Sequence, residues 1–378
     1  MRLWSKILSN LRWLPAYLHW VVAQRGSVQQ PVHLLFALAD HFEPAIIPES
    51  GGKALSLEEQ HRRSEKWCRE YPRLVDRWRD HDGRSFAHTY FYPAEQYDRG
   101  LIERLAEHCH AGWGELEIQL HHGLTGPDTA ENTRRVISEF RDNLVRHGCL
   151  SRWDGAGGPR YAFVHGNWAL ANSAGGRNCG VDNEMEILAE TGCYGDFTLP
   201  SAPSRTQVNK INAIYECARP LDQCAPHRRG NDLTRGRSVR VFPIIVQGPL
   251  LVNFSTEKGR WLPRLENSEL STANPPTMAR LNLWRQANIT VQGRPDWIFI
   301  KLHCHGMDPR DEAAMLGEPM RKFLEELLEG ARGGTTYRVH FLTAREMTNI
   351  ALAACDGREG DPGEYRNYRL VPITPRRS

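Results

Sequence analysis

Five stretches of the chain place Asp, Glu or His directly after, or within, a short apolar run. Leu34-Leu35-Phe36-Ala37-Leu38-Ala39 leads into Asp40-His41-Phe42-Glu43-Pro44. Glu117-Ile118-Gln119-Leu120 leads into His121-His122-Gly123, and Val164 into His165-Gly166-Asn167-Trp168. Tyr194-Gly195-Asp196-Phe197-Thr198 holds a carboxylate, and Ile298-Phe299-Ile300-Lys301-Leu302 runs into His303-Cys304-His305-Gly306. Asp and neutral imidazole are the usual ligands of a zinc-like ion, and a catalytic ion keeps a position open for water. Such an ion lowers the pKa of its water toward about 7. A carboxylate nearby then takes a proton, and a His protonates the leaving group.

Each stretch also has a plainer reading. Asp40 could cap a helix, with His41 on the surface. His121 and His122 could form a hydrogen-bonded turn. As neighbours in extended chain they point to opposite faces, so one of them enters a shared pocket. His303 and His305 are two apart and can share a face. His165, Asn167 and Trp168 could fix a loop, and Asp196 could cap a turn. His88 and His340 lie inside strand-like text and read as structural, while His61 and His81 lie in charged text and read as solvated.

The elements that would position these residues follow from periodicity. Short runs rich in β-branched and aromatic residues predict strands at 32–39, 85–91, 115–120, 160–164, 193–198, 239–246, 297–302 and 337–342. Polar segments of helical period predict helices at 57–79, 94–110, 130–147, 183–191, 278–287, 311–330 and 344–354. Alternation of this kind predicts parallel βαβ units. Eight of them suit a (β/α) barrel whose strand ends converge on one face, with an open parallel sheet as the alternative. Long Pro-, Gly- and Arg-rich loops near 218–237 and 248–276 read as insertions, lids or a small subdomain.

Composition bounds the class. At 378 residues, 40% hydrophobic and 25% charged, the chain suits one large globular domain with insertions. The division expected is an amino-terminal amphipathic segment over 1–30, a barrel domain over 31–356 and a tail over 357–378. A net charge of +3 without a basic, aromatic-studded stripe argues against nucleic acid. Nine scattered cysteines with no Cys-x-x-Cys pair suggest neither a disulfide framework nor a Cys-based zinc site. Reduced thiols in the cytoplasm are the expectation.

On these residues the chain resembles the polysaccharide deacetylase-like, or NodB-like, superfamily. Ala39-Asp40-His41 is similar to that family's Asp motif after the first strand. Glu117-Ile118-Gln119-Leu120-His121 is similar to its His-bearing strand, and Leu302-His303 to its late Leu-His. Ala39-Asp40-His41-Phe42-Glu43-Pro44, Val164-His165-Gly166-Asn167-Trp168-Ala169-Leu170 and Leu199-Pro200-Ser201-Ala202-Pro203-Ser204 resemble uncharacterised deacetylase-like proteins of bacterial surface polysaccharide synthesis. The likeness spans residues 32 to 305. It implies a distorted barrel of seven or eight strands and a hydrolase removing an acyl group from a carbohydrate. It also implies a divalent ion, zinc foremost, with Asp40, His41 and His121 as ligands. Glu43 or Asp40 would be the base and His303 or His305 the acid. His122, His165, Asn167, Trp168 and Asp196 would contact substrate, with His122 replacing His121 as ligand if the register differs. The sequence departs from the pattern: His41 replaces the second Asp of a pair, Thr125 falls where a second ligand His is usual, and no Arg-x-Pro-Tyr is present. A glycosidase on the same barrel, using Glu43 and Asp196, and a non-catalytic sugar-binding protein are the competing readings.

The first residues add an expectation about partners. Leu3, Trp4, Ile7, Leu8, Leu11, Leu14, Leu18, Val21 and Val22 recur at helical spacing, with Lys6, Asn10 and Arg12 largely elsewhere. Such a helix suits a membrane interface, giving peripheral contact through residues 1–25 at the inner face of the membrane. Packing of the same stripe on the barrel is the alternative.

Overall fold

The computed structural model describes residues 13–23, 30–47, 55–123, 127–176, 178–254 and 264–375. Its centre is a curled, mostly parallel sheet. We number its parallel strands β1 (Val32–His41), β2 (His88–Pro93), β3 (Gly114–Leu120), β4 (Ala156–His165), β5 (Cys193–Asp196), β6 (Ile244–Val246), β7 (Trp297–Cys304) and β8 (Tyr337–Leu342). They run in the order β7-β1-β2-β3-β4-β5-β6. Along one edge of β1, residues Val32 to Ala37 pair with β8 and Leu38 to His41 pair with β2. β8 is thus wedged beside the amino-terminal half of β1.

Of the barrel expected from the alternation, the structure shows a half-barrel. Among the described residues no ladder joins β6 to β7. The free edge of β7 instead pairs with the short strand Glu269–Leu270 at His303 and Cys304. β6 turns its other edge to the antiparallel strand Ile214–Cys217, which pairs with Gly230–Asp232. Both insertion loops read from the sequence therefore supply short edge strands. The segment after residue 356 packs onto the domain: Leu370–Pro372 pairs with Ser151–Trp153, and Leu370 is fully buried.

All ten residues of β1 are buried, as befits a parallel strand covered on both faces. Alternate side chains enter two different cores. Leu34, Phe36 and Leu38 join Trp67, Tyr71 and Val75 under the outer helices. Leu35, Ala37 and Ala39 join the concave core with Phe91, Val164, Phe299 and Met347. Trp67, Tyr71 and Val75 repeat every fourth position of the helix Leu57–Val75, so they form its inner face. That helix begins at Ser56, whose hydroxyl accepts from the Glu59 amide at 3.3 Å.

The helix Ala344–Cys355 fills the concave side. Every one of its residues is buried, and it packs against β1, β4, β5 and β8. A capping box starts it, with Thr343 and Glu346 each accepting the other's backbone amide. This plug leaves the carboxyl ends of the strands as the place where polar groups can gather. Among the described residues no helix is long and apolar enough to cross a membrane.

Candidate metal centre and active site

Strand alternation decides which of the sequence-selected residues meet. His41 continues the side of Ala37 and Ala39, and His303 the side of Trp297 and Phe299, so both face the concave mouth. One ligand atom each from His41, Glu43 and His305 lies within 4.8 Å of the others. His41 is 0% exposed, and neither ring nitrogen has a hydrogen-bond partner among the described residues. A buried, unpartnered polar group costs roughly 1–3 kcal/mol, so a pair on one imidazole points to a ligand.

The neighbours of His41 set its state. Its ring lies 4.7 Å from Trp168 in a stacked arrangement and 4.8 Å from His305, between centroids. Burial, reinforced by His305 and then His303, drives its pKa well below the usual imidazole range. Burial depresses His303 likewise, and its Nδ1 lacks a partner among the described residues. Both rings are therefore neutral, the state that ligates metal and accepts protons.

A charged pair borders this group. Glu43 accepts from Gln119 Nε2 and stands 3.4 Å from His121 Nε2, whose Nδ1 lies 2.7 Å from Glu95. Burial alone would depress His121, yet its bonds to Glu43 and Glu95 outweigh it and lift the pKa to about 10. Burial would raise Glu43, but His121 and His305 hold it below the usual carboxylate range. The mouth thus presents neutral His41 and His303 beside a His121 imidazolium.

Backbone geometry supports the cluster. Trp168 takes φ of +62°, a left-handed conformation costing a non-glycine residue about 1–3 kcal/mol. That turn brings its indole over His41 and 5.1 Å from His303. Gly166 is needed because a Cβ there would strike the His121 ring.

The structure does not bring Asp40 into this group. Asp40 follows Leu38 to the outer face, where it accepts from His88 Nδ1 at 2.9 Å and from the Gly306 amide at 2.7 Å. It ties the end of β1 to the turn carrying His305; of the expected ligands Asp40, His41 and His121, the structure groups His41 with Glu43 and His305, and Asp40 instead with His88 and Cys304. His122 and His165 also face outward, stacked at 5.0 Å. His122 bridges Asp128 at 2.7 Å and Glu184 at 2.7 Å. His165 Nδ1 accepts from the amides of Asn167 and Ala169, and one ligand atom each from His122, His165 and Glu184 lies within 4.8 Å of the others. Asp196 is 0% exposed, accepts twice from Thr198 and is raised by burial to about 7. Asn167 Oδ1 has no partner among the described residues and adjoins Trp168.

Four contributors escaped the sequence reading. Glu95 and Gln119 flank His121, and their only signal was a carboxylate or amide near a strand end. Glu184 sits in ordinary helical text. Lys301 did carry a signal, a lone cation inside an apolar strand; it is fully buried, donates to the Phe197 carbonyl at 2.7 Å and is pushed down to about 7 by burial. A cavity of about 820 Å³ lined by Gln207, Lys210, Arg228 and Arg229 shares no residue with the cluster. Compared with protein-family models and with curated proteins, the chain matches none.

Proposed function

We propose that the protein is a metal-dependent hydrolase that removes an acyl group from a carbohydrate, as the resemblance to polysaccharide deacetylase-like proteins implies. The observation that carries this reading is His41, fully buried with both nitrogens unpartnered among the described residues and facing Glu43 and His305. His41, Glu43 and His305 would hold a divalent ion of the zinc class, which supplies carbonyl polarisation and a water of lowered pKa. Two imidazoles and one carboxylate are a known donor set for catalytic zinc.

The chain's own groups supply the rest. Neutral His303 accepts a proton from the attacking water and returns it to the leaving amine or alcohol. The His121 imidazolium, with its two N–H groups directed to Glu43 and Glu95, sets a positive charge beside the oxygen that gains charge as the acyl carbon becomes tetrahedral. Trp168 would exclude water from one side, and Asn167 Oδ1, buried and without a partner among the described residues, would accept from a sugar hydroxyl. Asp196 does not serve the glycosidase alternative, because Thr198 engages its carboxylate inside the protein. The test is acetate release from N- and O-acetylated oligosaccharides, together with metal analysis. Activity in wild type that disappears on chelation, returns with zinc and is missing in His41→Ala is the expected result. Full activity in metal-free protein overturns the reading.

A further inference from the structure

At the opposite end of the sheet, four residues from four separate segments meet. His33 lies at the start of β1, His340 in β8, His81 in the loop after the helix Leu57–Val75, and Asp361 in the turn before Pro362. One ligand atom each from His33, His340 and Asp361 falls within 4.8 Å of the others. His33 Nδ1 and His340 Nε2 are 2.8 Å apart, and Asp361 Oδ1 is 4.0 Å from His340 Nε2. His81 Nε2 stands 3.3 Å from Asp361 Oδ2, with its ring 5.7 Å from that of His340.

We propose that His33, His340 and Asp361, with His81 as fourth donor, form a structural site for a divalent ion of the zinc class, separate from the mouth. Three imidazoles and a carboxylate complete a closed tetrahedral set. The outer layer is built as such sites require. His340 Nδ1 lies 2.9 Å from Asp82, which fixes the ring proton on Nδ1 and leaves the Nε2 lone pair facing inward. Asp82 is itself held by Arg366. His340 is fully buried and His33 nearly so.

The competing arrangement is a proton shared between His33 and His340. It accounts for their 2.8 Å separation, but it needs neither Asp361 nor His81 alongside. With zinc–nitrogen bonds of about 2.0–2.1 Å, two ligand nitrogens stand about 3.3 Å apart in a tetrahedral site. The pair therefore opens by roughly half an ångström on binding. Arg338, 3.6 Å from Asp361 Oδ2, is the cation that would hold this carboxylate without an ion. An ion here would clamp the segment after the plug helix onto β1 and β8.

The test loads full-length protein with zinc, removes free metal by gel filtration and counts bound ions. Wild type should hold about two per chain, a mouth ion and a floor ion. His340→Asn keeps a donor for Asp82 while deleting Nε2, and Asp361→Asn keeps an oxygen for the Gly363 amide; each should lose one ion and lower the zinc-dependent melting temperature. His41→Ala should lose the other ion. If both floor variants bind as much zinc as wild type, the site is a hydrogen-bonded clasp only and the proposal falls. A single wild-type ion lost in Asp361→Asn but retained in His41→Ala supports the floor site and overturns the mouth reading instead.

Discussion

The two faces of the same strand ends behave oppositely. On the concave face His41, His303 and His305 crowd together, and His41 and His303 keep ring nitrogens without partners among the described residues. One residue away on the outer face, Asp40 is saturated by His88 and Gly306, and His122 lies between Asp128 and Glu184. Neighbouring residues of like chemistry therefore divide between a concave set, in which His41 has neither nitrogen engaged, and an outer set, in which His88, His122 and His165 each have one ring nitrogen engaged and Nε2 without a hydrogen-bond partner among the described residues. The difference arises from the period-two alternation of a strand, which sends adjacent side chains to opposite faces of the sheet.

The largest effect should follow from emptying the concave set. His41→Ala removes the most enclosed of the proposed ligands, so bound metal should disappear and acyl hydrolysis should fall further than the roughly 10²- to 10⁴-fold expected for one acid–base group. Metal analysis and acetate release measure both. If metal and turnover survive, the concave set is structural and the contrast between the faces dissolves. His303→Gln should retain the metal while lowering kcat by roughly 10²- to 10⁴-fold. An unchanged kcat would remove His303 from the proton path.

The outer set should fail in stability and not in metal content. Asp40→Asn weakens the acceptor for His88 and the Gly306 amide, at a cost of about 1–3 kcal/mol by urea unfolding, with the mouth ion retained. Loss of the ion at unchanged stability would place Asp40 back among the ligands.

How far the sequence could show this depends on the residue. The strand and helix succession was legible because apolar runs and helical periods are local. The strands at 32–39, 297–302 and 337–342 reappear as β1, β7 and β8 within a few residues. Closure was not legible: whether β6 meets β7 depends on what the 248–276 segment does, and Glu269–Leu270 takes the β7 edge. Only the last part of the strand expected at 239–246 forms, as Ile244–Val246. At the site, His41 and the late His pair were visible as types. Their separation from Asp40 required the strand to continue to His41, a boundary that periodicity leaves open. Glu95 and Glu184 carry no local signal, since their partners are 26 and 62 residues away in sequence.

A finer probe of the outer set is its pH dependence. Burial would depress His122, but Glu184 and Asp128 outweigh it and push its pKa up to about 9. A group with a raised folded pKa stabilises fully below its unfolded value, near 6.5, and that contribution is lost as pH rises through about 9. The loss is at most roughly 3 kcal/mol at 1.36 kcal/mol per pKa unit. His122→Gln should therefore lie below wild type at pH 6 and approach it at pH 9.5 in urea unfolding. A constant difference across that range would show that the network does not depend on a charged His122.

The smallest stability effect is expected at the amino terminus, where the two faces of one helix repeat the contrast. In the helix Leu14–Ala23, preceded by Trp13, Leu18 and Val21 of the expected stripe do not lie on the packed side. Trp13, 2% exposed, seats against Ala202, Ile211 and Leu250, and Tyr17 and Trp20 follow it onto the domain at helical spacing. Leu18 and Val21 are left 58% and 47% exposed. The expected stripe from Leu3 to Leu11 lies outside the described residues. Docking of the helix by its aromatic side leaves Leu18 and Val21 exposed, where the peripheral membrane contact expected from the sequence can be tested. Replacing Leu18 and Val21 together with Ser should leave stability nearly unchanged, since exposed substitutions away from special contacts stay within about 0.5 kcal/mol each. The same pair should reduce flotation with anionic liposomes, because burial of each aliphatic side chain in the interface contributes roughly 1.5–3 kcal/mol. Equal flotation of variant and wild type, or flotation of neither, removes the membrane role from this face.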